Sequence, residues 1–153
     1  MTQRQGPNRP SAPGGQGRPA PTVDQGRLRR ILVDGDDEEL VNFAEELGRQ
    51  LVNRRLKTVQ IRKFFAEVRR LGDEARVSRR PADLDRIYRR LTLLRPKLAY
   101  QARRAEGVED LRAVLDPAIL LVTQDRSDPQ RLSRFVEFFE AIVAYHKFHG
   151  GQD

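Results

Sequence analysis

Thr58-Val-Gln-Ile-Arg-Lys-Phe-Phe-Ala-Glu-Val-Arg-Arg-Leu71 contains an apolar stripe at Ile61, Phe64, Phe65, Val68 and Leu71. That spacing of three and four residues is the period of an α-helix with one buried face, and a strand would alternate every second residue. Thr58 stands where a side-chain oxygen can cap the first free N–H groups. At about 100° per residue, Arg62, Arg69 and Arg76 line up along one side, with Lys63 and Arg70 beside them. All five cations lie away from the apolar stripe. Gly72 weakens the segment and is a candidate early end.

The same period recurs on both sides of this segment. Upstream, Asp34-Gly-Asp-Asp-Glu-Glu39 opens a helix whose buried positions are Leu40, Phe43, Ala44, Leu47 and Leu51. Carboxylates there receive unpaired N–H groups and complement the positive end of the helix dipole. The acidic run is not a calcium loop, because its sixth position is Glu39, where that loop needs Gly. A shorter helical turn around Leu28, Ile31 and Leu32 precedes it.

Downstream, Pro81 suits a first helical turn, and Leu84, Ile87, Leu91, Leu94 and Leu98 follow. Pro96 lies inside that pattern and predicts a kink near residues 92–95, with helix continuing to Gly107. Leu111, Val114, Leu115, Ala118 and Val122 mark a fourth helix around an internal Pro117. Asp128 and Pro129 start a fifth, buried through Leu132, Phe135, Val136, Phe139, Ile142 and Val143 and ended by Gly150-Gly151. The expected fold is all-α: a compact bundle of about five helices, forming a single domain over residues 22–153.

Residues 1–21 are different. They hold five Pro and four Gly, with no acidic and no aromatic residue. Such a segment buries too little to offset about 1–2 kcal/mol of backbone entropy per ordered residue, so a disordered basic tail is expected. Its Arg4, Arg9 and Arg18 suit either a solvated terminus or a weak electrostatic arm for RNA.

The whole chain of 153 residues carries 29 Lys and Arg against 22 Asp and Glu, a formal charge of +7. Arg outnumbers Lys by 25 to 4. The planar guanidinium fork suits phosphate, although a GC-rich genome gives the same bias whatever the protein does. The absence of Cys excludes disulfides, thiolate chemistry and cysteine-bound metal. The longest apolar run, Ala118 to Val122, is far short of a membrane span of about 20 residues. No secretory signal pattern is present, so a cytoplasmic protein without membrane contact is expected.

No catalytic constellation emerges. Gly14-Gly15-Gln16-Gly17 has no strand before it and no helix directly after it, as a phosphate loop requires. His146 and His149 lack a third ligand by spacing and read as a helix C-terminal cap or a phosphate contact. No enzyme activity, metal or cofactor is expected. Tyr88, Tyr100 and Tyr145 could stack on bases, but each lies near an apolar stripe and reads as core or core edge.

Three segments taken together are more specific. They are Thr58-Val-Gln-Ile-Arg-Lys-Phe-Phe-Ala-Glu-Val68, Leu94-Arg-Pro-Lys-Leu-Ala-Tyr-Gln-Ala-Arg-Arg104 and Phe138-Phe-Glu-Ala-Ile-Val-Ala-Tyr-His-Lys-Phe148. In this order and spacing they resemble the small subunit of type III-A CRISPR–Cas interference complexes, the Csm complex. The resemblance covers roughly residues 36–151 and leaves out the Pro-rich tail. It implies a non-catalytic helical protein, several copies of which line up beside the guide-binding backbone subunits. Its implied partners are crRNA and target RNA, the other Csm subunits and further copies of itself.

An RNA held this way is gripped through phosphates and 2′-hydroxyls while base pairing reads the sequence. The expected contacts are Arg62, Lys63, Arg69, Arg70, Lys97, Arg103, Arg104 and Lys147. Arg62, Lys97, Arg104 and Lys147 rank first because they lie within the family-like segments. The competing expectation is a basic helical adaptor that binds acidic protein surfaces and no nucleic acid.

Overall fold

The computed structural model describes residues 24–153, so the tail expected over 1–21 lies outside the described residues. Six α-helices and no strand occur among them: α1 (Gln25–Leu32), α2 (Asp37–Asn53), α3 (Thr58–Val77), α4 (Pro81–Ala102), α5 (Val108–Gln124) and α6 (Pro129–Phe148). The all-α expectation holds. The count rises from five to six because the short turn before α2 is a full eight-residue helix. Asp24 caps α1 by accepting from the Gly26 N–H at 2.8 Å. So short a helix is unstable alone. Burial of Leu28, Ile31 and Leu32, in a helix that packs on α2, α5 and α6, supplies the missing stability.

Helix α6 is the hub of the molecule. It packs against α1, α2, α3 and α5, and it carries the fully buried Phe135, Phe138 and Phe139. Phe138 meets Phe43 of α2 edge-on at 5.5 Å between ring centroids, and Phe139 meets Phe65 of α3 at 5.4 Å. Gly48 lets α2 and α6 close up, since a Cβ there would stand 2.8 Å from the His146 backbone nitrogen. Asp128 starts α6 as expected, accepting from Gln130 N–H at 3.1 Å, with Pro129 in the first turn.

Three local expectations are corrected. Thr58 does not cap α3; Lys57 occupies the cap position, and Thr58 is buried as the first helical residue. Its backbone N–H is satisfied from outside the helix, donating to the Gln152 carbonyl at 2.8 Å. Gly72 does not end α3, because the missing side chain makes room for Val136 of α6, whose Cγ2 would lie 2.7 Å from a Cβ. The α4 helix does not reach Gly107. It runs unbroken through Pro96 and stops at Ala102, and Gly107, with φ of 83°, caps α5 instead.

Helix α4 packs only on α3 and α5 among the described residues. Ion pairs Arg95–Asp116 (2.8 Å) and Arg126–Asp85 (3.0 Å) run antiparallel along its α5 side. On its other flank a groove between α3 and α4 opens to solvent. Among the described residues no helix is long and apolar enough to cross a membrane.

Candidate nucleic-acid interface

The buried stripe of α3 turns its charged positions outward in two directions. Phe65 and Gly72 face α6, so Arg69 and Arg76, which follow the same phase, sit on the α6 flank. Gln60, Lys63, Phe64 and Glu67 instead face α4 and line a groove of about 470 Å³ with Leu94, Pro96, Lys97, Tyr100 and Gln101. Arg62 shares the Arg69 phase, and Arg70 points outward between the two flanks.

Arg62, Lys63, Arg69, Arg70 and Arg103 are exposed and have no acidic group within 4 Å among the described residues. Lys97 pairs with Glu67 at 3.4 Å. Lys97 is exposed and Glu67 partly so, so that pair is worth about 1 kcal/mol or less and leaves Lys97 open to another anion. Arg104 donates to the Tyr100 hydroxyl at 2.6 Å, and its guanidinium lies 5.1 Å from the centroid of that ring. Lys147 donates to the Gly151 carbonyl at 3.4 Å near the end of α6.

The eight expected residues thus do not form one cluster. Lys63 and Lys97 share the α3–α4 groove, with Arg104 at its Tyr100 edge. Arg69 lies across α3, in a smaller depression of about 290 Å³ that it shares with Asp73, Glu137 and Glu140. Arg89 and Arg90 extend the α4 side, both exposed and without an acidic group within 4 Å among the described residues. A signal for Arg90 was present in the chain: Arg90, Lys97 and Arg104 recur at intervals of seven, two helical turns apart.

Much of the Arg excess serves the fold. Arg131, 9% exposed, donates to the Leu121 carbonyl at 2.9 Å and ties the start of α6 to the end of α5. Arg134 donates to the Leu32 and Val33 carbonyls at 3.2 and 3.0 Å, capping the C-terminal end of α1. Arg54 pairs with the buried Asp110 at 2.8 Å. Arg27 pairs with Glu39 and Glu46 and lies 4.4 Å from the centroid of the Phe43 ring.

The histidines separate as well. His146 is fully buried, and its Nε2 lies 2.6 Å from the Leu56 carbonyl. Because a carbonyl only accepts, Nε2 carries the proton that makes this bond. His146 is therefore a core tie, not a phosphate contact. His149 lies 3.2 Å from Glu45 and stacks near Tyr145. Among the described residues no group of three His, Asp or Glu is placed to hold a metal ion. Tyr88 is buried and Tyr145 half-buried, as core positions should be, but Tyr100 is 59% exposed.

The three family-like segments converge in space. Phe65 meets Phe139, Glu67 meets Lys97, and Thr58 bonds to the chain just beyond α6. They are the first half of α3, the second half of α4 and the second half of α6, all at one end of the bundle. The family model described as Csm2 Type III-A matches residues 34–152, a span that takes in α2 through α6. The chain belongs to the Csm2 family. A curated relative from Streptococcus thermophilus, described as CRISPR system Cms protein Csm2, is 35% identical over 98 residues. That alignment covers 64% of this chain and 76% of the relative. No solved structure matches. As a Csm2 protein, the chain is the small subunit of the type III-A Csm complex, and other Csm subunits are its partners.

Proposed function

We propose that this Csm2 protein holds crRNA and target RNA against the outer face of α3 and α4, without sequence preference and without a catalytic step of its own. The observation that carries this reading is the gathering of Lys63, Lys97 and Arg104 around one solvent-open groove, with Arg70, Arg89 and Arg90 beside it. Such an array neutralises successive phosphates and releases their counterions. Two amines, two amides and one phenol line the groove and can bond to phosphate and ribose oxygens, against a single carboxylate, Glu67. Cleavage and other chemistry belong to other subunits.

The Arg69 flank has a different task. Its mixture of cations with Glu137 and Glu140 suits a protein surface better than a phosphate strand. We assign it to a neighbouring Csm subunit or a further copy of this chain. A single copy making a few phosphate contacts binds RNA weakly, and several copies in a row gain through avidity.

The test is filter binding of the full chain to unrelated single-stranded RNAs across a salt series. Binding at low salt should be similar for all sequences and weaken linearly on a log–log plot, by a slope of about −0.7 per phosphate engaged. RNA incubated with the protein and Mg²⁺ should stay intact. Tight capture of a Csm subunit with no RNA binding at low salt would establish the adaptor reading instead.

A further inference from the structure

We infer that the α3–α4 groove is a subsite for a single unpaired nucleobase of the bound RNA, an inference that rests on the RNA-holding reading and gives it a second component beyond phosphate contact. The first support is Tyr100. Its ring is 59% exposed and lines the groove, so a planar group entering the groove can lie against it. It is also held in place, through the 2.6 Å bond from Arg104 to its hydroxyl and the guanidinium 5.1 Å from its centroid.

The second support is the rest of the lining. Phe64 and Leu94 supply an apolar floor, and Pro96 adds a flat, rigid wall. Gln60 and Gln101 stand in the same lining. Each amide offers both donors and an acceptor, so the polar edge of any base finds a partner. A groove of about 470 Å³ lies within the usual range for a small-ligand site.

Charge selects the occupant. Lys63 and Lys97 on the groove, with Arg104 behind Tyr100, face one carboxylate, Glu67. That excess suits a base whose flanking phosphates reach the lysines, rather than a greasy side chain from a neighbouring subunit. A base paired inside an A-form duplex shows neither of its faces, so only an unpaired nucleotide fills the groove. The protein should then favour single-stranded RNA over a duplex of equal length at the same salt.

The decisive experiment compares two strands of about a dozen units by fluorescence anisotropy with the full chain. One is a mixed-sequence RNA; the other is an abasic ribose–phosphate strand with the same charge. Stacking of one base predicts at least about fivefold tighter binding of the base-bearing strand. Tyr100→Ala should erase that preference, whereas Tyr100→Phe, which loses the same bond from Arg104 but keeps the ring, should retain it. Tyr100 is exposed, so neither change threatens folding. Equal binding of both strands by the unaltered protein overturns the subsite while leaving the phosphate grip intact. A Tyr100→Ala variant that loses both strands equally, or loses only a Csm subunit, also overturns it. Failure to bind either strand removes the RNA-holding reading as well.

Discussion

Replacing Lys63, Arg70, Lys97 and Arg104 together by Gln is expected to weaken binding of single-stranded RNA about a hundredfold near 0.1 M salt. The four side chains are exposed on the α3–α4 face, so their loss leaves the core untouched. Each lost phosphate contact should also flatten the log–log salt dependence by about 0.7, for a total near 3. A control that removes three charges elsewhere on the surface separates placement from net charge. Arg29, Arg30 and Arg49 lie on α1 and α2, which among the described residues touch neither α3 nor α4. Changing those three to Gln should cost less than about threefold, a residue of long-range steering alone. Equal losses in the two variants would mean that the protein attracts RNA by overall charge and has no face for it.

The second large effect concerns stability. His146→Ala should destabilise the protein by about 3 kcal/mol, read as a lower urea midpoint with an unchanged slope. Two costs combine. The Leu56 carbonyl loses the Nε2–H donor that reaches it at 2.6 Å inside the core, and the ring leaves a void. The backbone around the same residue joins three parts of the chain. Its carbonyl accepts from Gly151 N–H at 2.8 Å, and the next residue, Gln152, accepts from Thr58 N–H. Loss of the ring should therefore speed hydrogen exchange at Gly151 and Thr58, at the end of the bundle where the proposed RNA face begins. His146→Gln, which can still offer an N–H, should lose less. A midpoint unchanged by His146→Ala would show that the buried bond contributes nothing.

The helical frame is legible wherever a local pattern and burial agree. Leu40, Phe43, Leu47 and Leu51 name the inner side of α2, and Asp128-Pro129 starts α6 at the expected residue. The misreadings have one physical origin, which is that tertiary contacts outweigh local signals. Thr58 looks like a cap, but the C-terminal chain satisfies the N–H and the side chain is buried. Gly72 looks like a stop, yet it is a notch for Val136. Helix α1 shows in the sequence as a short turn around Leu28, Ile31 and Leu32, and only the partners that cover those residues extend it to eight.

For the candidate site, periodicity separates outer from inner faces but does not say which neighbour lies alongside. It places Lys63 and Arg69 together on the outside of α3. Only the positions of α4 and α6 assign them to different flanks, one cationic and one mixed in sign. Tyr100 could have been read correctly. It follows Leu98 by two positions, about 200° around the helix, which turns it away from the core. The structural arginines are a different case: Arg131 and Arg134 bond to carbonyls at the ends of other helices, partners that no spacing within α6 reveals.

The most direct measurement is photocrosslinking of the full chain to a single-stranded RNA carrying 4-thiouridine, followed by identification of the modified peptides. Adducts should concentrate within Thr58–Arg70 and Arg89–Arg104, at the groove that Lys63, Lys97 and Tyr100 share. Adducts confined to α1, α2 or α5, with the α3–α4 face unmodified, would contradict the assignment of RNA to that face.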